Sequence, residues 1–270
     1  MIGIYNIQQD LEEVISKRLD VGVLTTDIHN LPDLNGLIID WQMRIGKKPP
    51  KEFAYQAALI SNYTKKKNTP IIIYDRHMCI KEDEYKWLSR FDIHLFEPAL
   101  NNRKHFVYLP HWMDISEEKL LEHDNENRDI DLGFIGDRHN KSFEKYYIEY
   151  MKKFTTYNVI YNDSDLKWEN VKCMVAIDSE NNYDIGYLNN HTFNALSRGC
   201  MVILPKEHKY FGNMFPWVTD NINDINYCIE TFSNDIRMGA VLDIYNNIKD
   251  NFPEFTIEYT ADKMCEVYES

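Results

Sequence analysis

Four short runs in this chain are apolar almost from end to end: Gly36–Asp40 (GLIID), Ile71–Asp75 (IIIYD), Asp131–Ile135 (DLGFI) and Cys200–Leu204 (CMVIL). A strand with one wet face alternates apolar and polar residues, whereas a strand apolar throughout is covered on both faces. Before and between these runs lie segments with helical spacing, among them Leu11–Leu19, Lys51–Lys66, Glu82–Leu88 and His191–Ser197. Buried strands separated by helices predict an α/β fold, with parallel sheets covered by helices on both sides. Further strands are expected at Ile2–Asn6, Val21–Thr25, Ile93–Phe96, Phe106–Leu109, Val159–Tyr161 and Met174–Ile177. Further helices are expected at Ser142–Lys153, Asp224–Phe232 and Asp235–Ile248.

The pattern runs once, breaks at the polar stretch Glu122–Arg128 (EHDNENR), and starts again. With 270 residues, 44% of them hydrophobic, the chain is long enough for two cores. The expected division is a first Rossmann-like domain over 1–125, a second over 129–254, and an amphipathic tail, 255–270, that crosses back to the first. Two doubly wound domains in succession imply parallel sheets facing a cleft. Ligands of such sheets sit beyond the carboxyl ends of the strands.

Composition narrows the function classes. A net charge of −13 argues against a protein that coats nucleic acid nonspecifically. The cysteines are odd in number and scattered, with no CxxC, which reads as reduced thiols in the core. Met1 leads directly into a strand-like segment with no basic leader, and no apolar run reaches a membrane span. The expectation is a cytoplasmic protein without a membrane partner. The heavy use of Asn, Ile, Tyr, Lys and Asp suits an AT-rich genome, in a bacterial cytosol or a phage-infected cell. GxSxG, Walker A, HExxH and GxGxxG motifs are missing, which disfavours the common hydrolase, ATPase, zincin and dinucleotide readings.

Two segments carry chemical content. In Asp131–Ser142 (DLGFIGDRHNKS) a buried strand runs into Gly136 and a polar turn. Glycine allows close backbone approach, and a helix start offers N–H groups to a phosphate, with Asp137, Arg138 and Lys141 beside it. An ordinary strand–turn–helix with a solvated tip fits as well. In Gly186–Leu204 (GYLNNHTFNALSRGCMVIL) Asn190, His191 and Thr192 open a short helix that Gly199 ends. A capped helix that needs no ligand is the competing reading.

Taken together, DLGFIG and HTFNALSRG resemble the donor domain of GT-B glycosyltransferases, in particular the spore-maturation-type family related to the glycosyltransferase group 1 domain. There a strand ending F-I-G opens the domain, and a segment of the form R-T-F-E-A-L-A-C-G precedes a buried strand. FDIHLF at Phe91–Phe96 and VYLPHWMD at Val107–Asp114 look like that family's exit from the acceptor domain. The resemblance covers most of residues 90–250. It implies a transferase that takes a sugar from a nucleotide-sugar, most simply a UDP-sugar, with no tightly bound cofactor. The implied donor contacts are Gly136, Asp137, Arg138, Lys141, Asn190, His191, Thr192 and Asn194. The chain also departs from the family. His191 stands in place of its Arg, Asn194 in place of the Glu that holds the ribose, and Gly186 at the companion acidic position. A retaining mechanism built on that acidic pair is not supported.

An inverting transferase needs a general base, and Asp40 and Asp75, each ending a buried strand, are the candidates, Asp40 first. Either can equally cap a turn. His77 and His111 are further candidates. Asp163-Ser164-Asp165 is a DxD, the metal and nucleotide-sugar motif of the GT-A fold, and the only hint of a divalent metal in an acid-rich chain. Arg44, Lys47, Lys48, Lys51, Lys65, Lys66 and Lys67 form a basic run in the first half. It is either a solvated helix face or a surface for a DNA backbone. The second reading, with His111 as a further contact, suggests transfer to the hydroxymethyl group of a modified pyrimidine in double-stranded phage DNA. The alternatives are a glycan, polyol or protein acceptor, or a GT-B-like protein that binds nucleotide-sugar or nucleic acid without turnover.

Overall fold

A computed structural model of the chain describes residues 2–5, 9–19, 23–25, 36–41, 51–65, 70–101, 103–113, 117–123, 127–134, 159–161, 167–219 and 221–269. The fold is α/β, with two wholly parallel sheets, each in its own compact unit. One unit comprises 1–110 together with 257–270, the other 111–256.

The first unit runs β1 (Ile2–Tyr5), α1 (Gln9–Leu19), β2 (Val23–Thr25), β3 (Gly36–Asp40), α2 (Lys51–Thr64), β4 (Ile71–Tyr74), α3 (Glu82–Leu88), β5 (Ile93–Glu97) and β6 (Val107–Tyr108). Its strand order is β2-β1-β3-β4-β5-β6. The register pairs Ile38 with Ile72 and Ile72 with His94. Leu37, Ile38, Ile39, Ile71, Ile72 and Ile73 are all sealed from solvent, which is why GLIID and IIIYD carry no alternation. On α2, Gln56, Leu59, Ile60 and Tyr63 fall on one face at helical spacing and are buried.

The second unit runs α4 (Glu117–Leu121), β7 (Ile130–Phe134), β8 (Val159–Tyr161), β9 (Val171–Val175), α5 (Glu180–Ile185), α6 (Asn190–Ser197), β10 (Met201–Ile203), α7 (Ile222–Thr231) and α8 (Asn234–Asn251). Its order is β10-β9-β7-β8. Phe134, Val175, Phe193, Val202 and Ile244 meet in its core. His111–Leu121 belongs to this unit: Met113 donates its N–H to Phe255 O at 2.8 Å, and Leu120 joins the core. The polar run 122–128 therefore lies inside the second unit, not between the two. Its last residue, Arg128, is buried and donates to the carbonyls of Trp168, Val171, His123 and Arg198.

The last helix, α9 (Ile257–Glu269), belongs to the first unit and packs on α1. Ile257, Thr260, Ala261, Met264 and Cys265 form its buried stripe. Arg18 on α1 pairs with Asp262 at 2.8 Å, and Tyr268 donates its hydroxyl to Leu37 O at 2.9 Å. A Cβ built on Gly36 would lie 2.4 Å from the Tyr268 ring, so the absence of a side chain there lets the helix sit against β3.

Candidate functional site

Both sheets share one topological device. From β1 the chain crosses to β2 on one side, while β3 to β6 follow on the other, so the direction reverses between β1 and β3. In the second sheet it reverses between β7 and β9. Connections diverge at such a point and leave a crevice at the carboxyl ends of the two strands, where ligands of open α/β sheets bind. Each sheet carries a buried aspartate beside its reversal: Asp40 ends β3, and Asp178 follows just past β9.

In the first unit Asp40 is 0% exposed and pairs with Arg76 at 3.0 Å. Asp75, just past β4, holds the following turn together. It accepts from Cys79 N at 2.8 Å, Ile80 N at 2.9 Å and the Cys79 thiol at 3.3 Å, and it pairs with Arg103 at 2.7 Å. Arg103 also grips Glu97, at the end of β5, at 2.6 Å, and donates to Ile80 O. Its guanidinium lies 4.0 Å from the Phe106 ring centroid. Three carboxylates thus end three neighbouring strands, and two arginines neutralise them. The two aspartates expected as bases are held in this buried network.

In the second unit Ser179 caps α5 by accepting from Asn182 N, and Asn189 caps α6 by accepting from His191 N. Asp178 lies between these helix starts. It accepts from Asn182 Nδ2 at 2.8 Å and from the backbone of Asn189 and Ser179, and its own N–H donates to the Tyr183 hydroxyl at 2.7 Å. His208 packs edge-on to the Tyr183 ring at 4.4 Å, with Nε2 at 3.1 Å from Ala176 O and 3.9 Å from Asp178 Oδ2. A carbonyl can only accept, so Nε2 carries the proton and Nδ1 the lone pair. Asp178 Oδ2, His208 Nδ1 and Thr192 Oγ1 are buried with no hydrogen-bond partner among the described residues. Burial lifts the Asp178 carboxyl from 3.8 to about 7, against the hydrogen bonds that lower it. Burial lowers the His208 imidazole from 6.5 to about 4, against its bond to Ala176.

Of the residues expected to hold a donor, Asn190 and Asn194 are half-buried on α6, His191 is exposed and Thr192 is buried. Gly136, Asp137, Arg138 and Lys141 lie outside the described residues, as do Asp163 and Asp165. So do Arg44, Lys47, Lys48, Lys66 and Lys67 of the basic run; Lys51 opens α2, and Lys65 follows its end, exposed. His111, expected at an acceptor surface, is instead buried in the second unit, its Nε2 3.1 Å from the Tyr187 hydroxyl. Asp178 and His208 were not singled out in the sequence. Ala176-Ile177-Asp178 repeats the signal of Ile38-Ile39-Asp40, an apolar strand end followed by aspartate. His208 carried no signal.

The opposite end of α6 is clamped. Gly199 has φ +70°, and a Cβ there would lie 2.9 Å from an Arg128 guanidinium nitrogen and 3.2 Å from Met238 Sδ. Arg128 donates to Arg198 O and Arg237 to Gly199 O, so two buried cations satisfy carbonyls at the helix's negative end. Gly199→Ala combines a left-handed backbone with crowding against these groups. It is expected to cost about 2–4 kcal/mol, seen as a lower urea midpoint. An unchanged midpoint would contradict the clamp.

No family model matches the chain, and no curated protein matches it. Among the described residues no helix is long and apolar enough to cross a membrane, and no three metal-ligating side chains are grouped. Fold and site define an α/β protein with two parallel sheets, each with a buried aspartate at the point where its strand order reverses.

Proposed function

We propose that the chain is a glycosyltransferase that moves a sugar from a nucleotide-sugar, taken here as a UDP-sugar, to a hydroxyl acceptor. The observation that carries this reading is the pair of doubly wound parallel sheets in one chain, each with a polar cluster beyond its strand ends. One sheet of this kind suits a nucleotide, and a second suits an acceptor. The start of α6, with Asp178 and Thr192 beside it, is the proposed donor end.

A thermal-shift screen against UDP, GDP, ADP and CMP, with and without magnesium or manganese, tests this. A diphosphate at about a hundred times its Kd adds about 2.7 kcal/mol to the folded state and raises the Tm by several degrees. No shift with any nucleotide would leave the reading without support.

The acceptor proposed is the hydroxymethyl group of a modified pyrimidine in double-stranded DNA, for which the basic run from Arg44 to Lys67 would contact phosphates. Binding of hydroxymethylated duplex should then weaken with salt and with the joint Lys65, Lys66 and Lys67 to Ala replacement. Binding indifferent to both would count against a DNA acceptor. A second reading, a nucleotide-sugar binder without turnover, is favoured by one observation: Asp40 and Asp75 are both sealed in ion pairs. Release of UDP from a UDP-sugar separates the two.

A further inference from the structure

Three of the buried polar atoms that have no partner among the described residues, Asp178 Oδ2, Thr192 Oγ1 and His208 Nδ1, belong to groups gathered at the start of α6. We propose that this start takes the sugar ring of the donor rather than its diphosphate, with hydroxyl groups of the ring bonded to Asp178 and Thr192. This rests on the glycosyltransferase reading and names the part of the donor that the second unit holds here.

The geometry lies within the second unit alone. The Asp178 carboxyl is tied to the start of α6 by accepting from the Asn189 N–H, and its side chain is 6% exposed. It accepts from Asn182 Nδ2 on one side, while Oδ2 lies 3.9 Å from His208 Nε2, beyond hydrogen-bond reach. Thr192 is the third residue of α6 and is 0% exposed. The Cα–Cβ bonds of a helix tilt toward its N-terminus, so this side chain leans toward the same start. Buried polar groups are nearly always hydrogen-bonded, and leaving one unbonded is costly. A ligand that brings several hydroxyl groups to this point satisfies more than one of them. The place suits a ligand as well: Asp178 follows β9, beside the reversal between β7 and β9.

The surroundings favour a neutral group. From Cys173 to Ser197 the chain has no Lys or Arg and five Asn, namely Asn181, Asn182, Asn189, Asn190 and Asn194. Lys206 and Lys209 lie on the loop that carries His208, but both are exposed, whereas His208 is buried. A diphosphate is held by charge-assisted bonds from cations. Amides and hydroxyls both donate and accept, as the hydroxyl groups of a sugar do. Burial keeps the Asp178 carboxyl protonated to about pH 7, against the hydrogen bonds that lower it, so it can do both as well.

The test is calorimetric titration of wild type, Thr192→Val and Asp178→Asn with UDP, UDP-glucose, UDP-galactose and UDP-N-acetylglucosamine, the melting temperature of each variant checking its fold. Each variant should weaken the UDP-sugar that wild type binds best by about 10-fold and leave the Kd for UDP unchanged. Wild type should also discriminate against at least one analogue of that UDP-sugar lacking a single hydroxyl, and the variants should not. The analogues need no variant, so wild type that binds all of them alike would overturn the proposal even if neither variant folds. Variants that lose UDP and UDP-sugar alike would put the diphosphate at this start, and variants that bind both as wild type does would mean that the three atoms meet ordered water only. Either result overturns the sugar site and leaves the glycosyltransferase reading standing. A wild type that binds UDP but none of the three UDP-sugars also overturns the sugar site. A wild type that binds neither UDP nor any UDP-sugar overturns the reading itself, and the sugar site with it.

Discussion

Replacing Asp75 by alanine should cost the first unit about 3–5 kcal/mol, toward the lower end of that range. The loss has two parts. The backbone N–H groups of Cys79 and Ile80 lose their acceptor inside a buried turn, and an unsatisfied buried group costs about 1–3 kcal/mol. Arg103 loses one of its two carboxylates, but its side chain is 37% exposed and water replaces part of that interaction. Asp75→Asn should recover less than half of the loss, because the amide oxygen still accepts from Cys79 N while the amide nitrogen, in the place of Oδ2, faces both the Ile80 N–H and Arg103. Hydrogen exchange across residues 71–97 reads the effect locally. Protection equal to wild type in Asp75→Ala would sink the view that this carboxylate braces the turn.

The second large effect is hidden in the wild type and emerges when either partner of the Asp178–His208 pair is replaced. Folded Asp178 keeps its proton up to about pH 7, whereas the unfolded chain releases it near 3.8. The folded state holds the extra proton between those values, so this stability is present below 3.8 and is lost as pH rises to 7. Folded His208 stays neutral down to about pH 4, whereas unfolded it protonates near 6.5. Its stability is complete above 6.5 and is lost as pH falls to 4. The two slopes oppose and nearly cancel between pH 4 and 6.5. At about 1.4 kcal/mol per pH unit, each amounts to about 3 kcal/mol over that interval. Against wild type, His208→Phe should lose stability as pH rises from 4 to 6.5, and Asp178→Asn should gain it. Urea unfolding at the two ends of the interval decides the matter, since other carboxylates contribute alike to all three proteins. Parallel curves would mean that neither group titrates as its burial requires.

The elements most legible in the sequence were those whose signal is local. β3, β4, β7 and β10 coincide with the unbroken apolar runs, because covering both faces removes alternation. α6 begins after Asn189 and ends before Gly199, both of which act as caps or stops. What escaped depends on distant partners. An aspartate ending a buried strand looks the same in sequence whether it meets solvent or an arginine. Asp75 meets Arg103, and only the ordering of β4, β5 and the loop after β5 brings them together. His111 reads as a surface histidine until the start of the second unit folds against Tyr187. Arg128 closes a polar run that looks like a linker, yet its guanidinium is buried among four carbonyls.

The place of α9 has a consequence for how the chain is made. Synthesis delivers all six strands of the first sheet early, yet the helix that packs on α1 and rests on Gly36 is encoded only after the whole of the second unit. At about 5–20 residues per second, the intervening residues 111–256 take roughly 7–30 s to emerge. Through that interval α1, which carries the buried Leu11 and Ile15, waits without the helix it packs against. The nascent first unit is therefore a ready client for a chaperone until residues 257–269 have emerged.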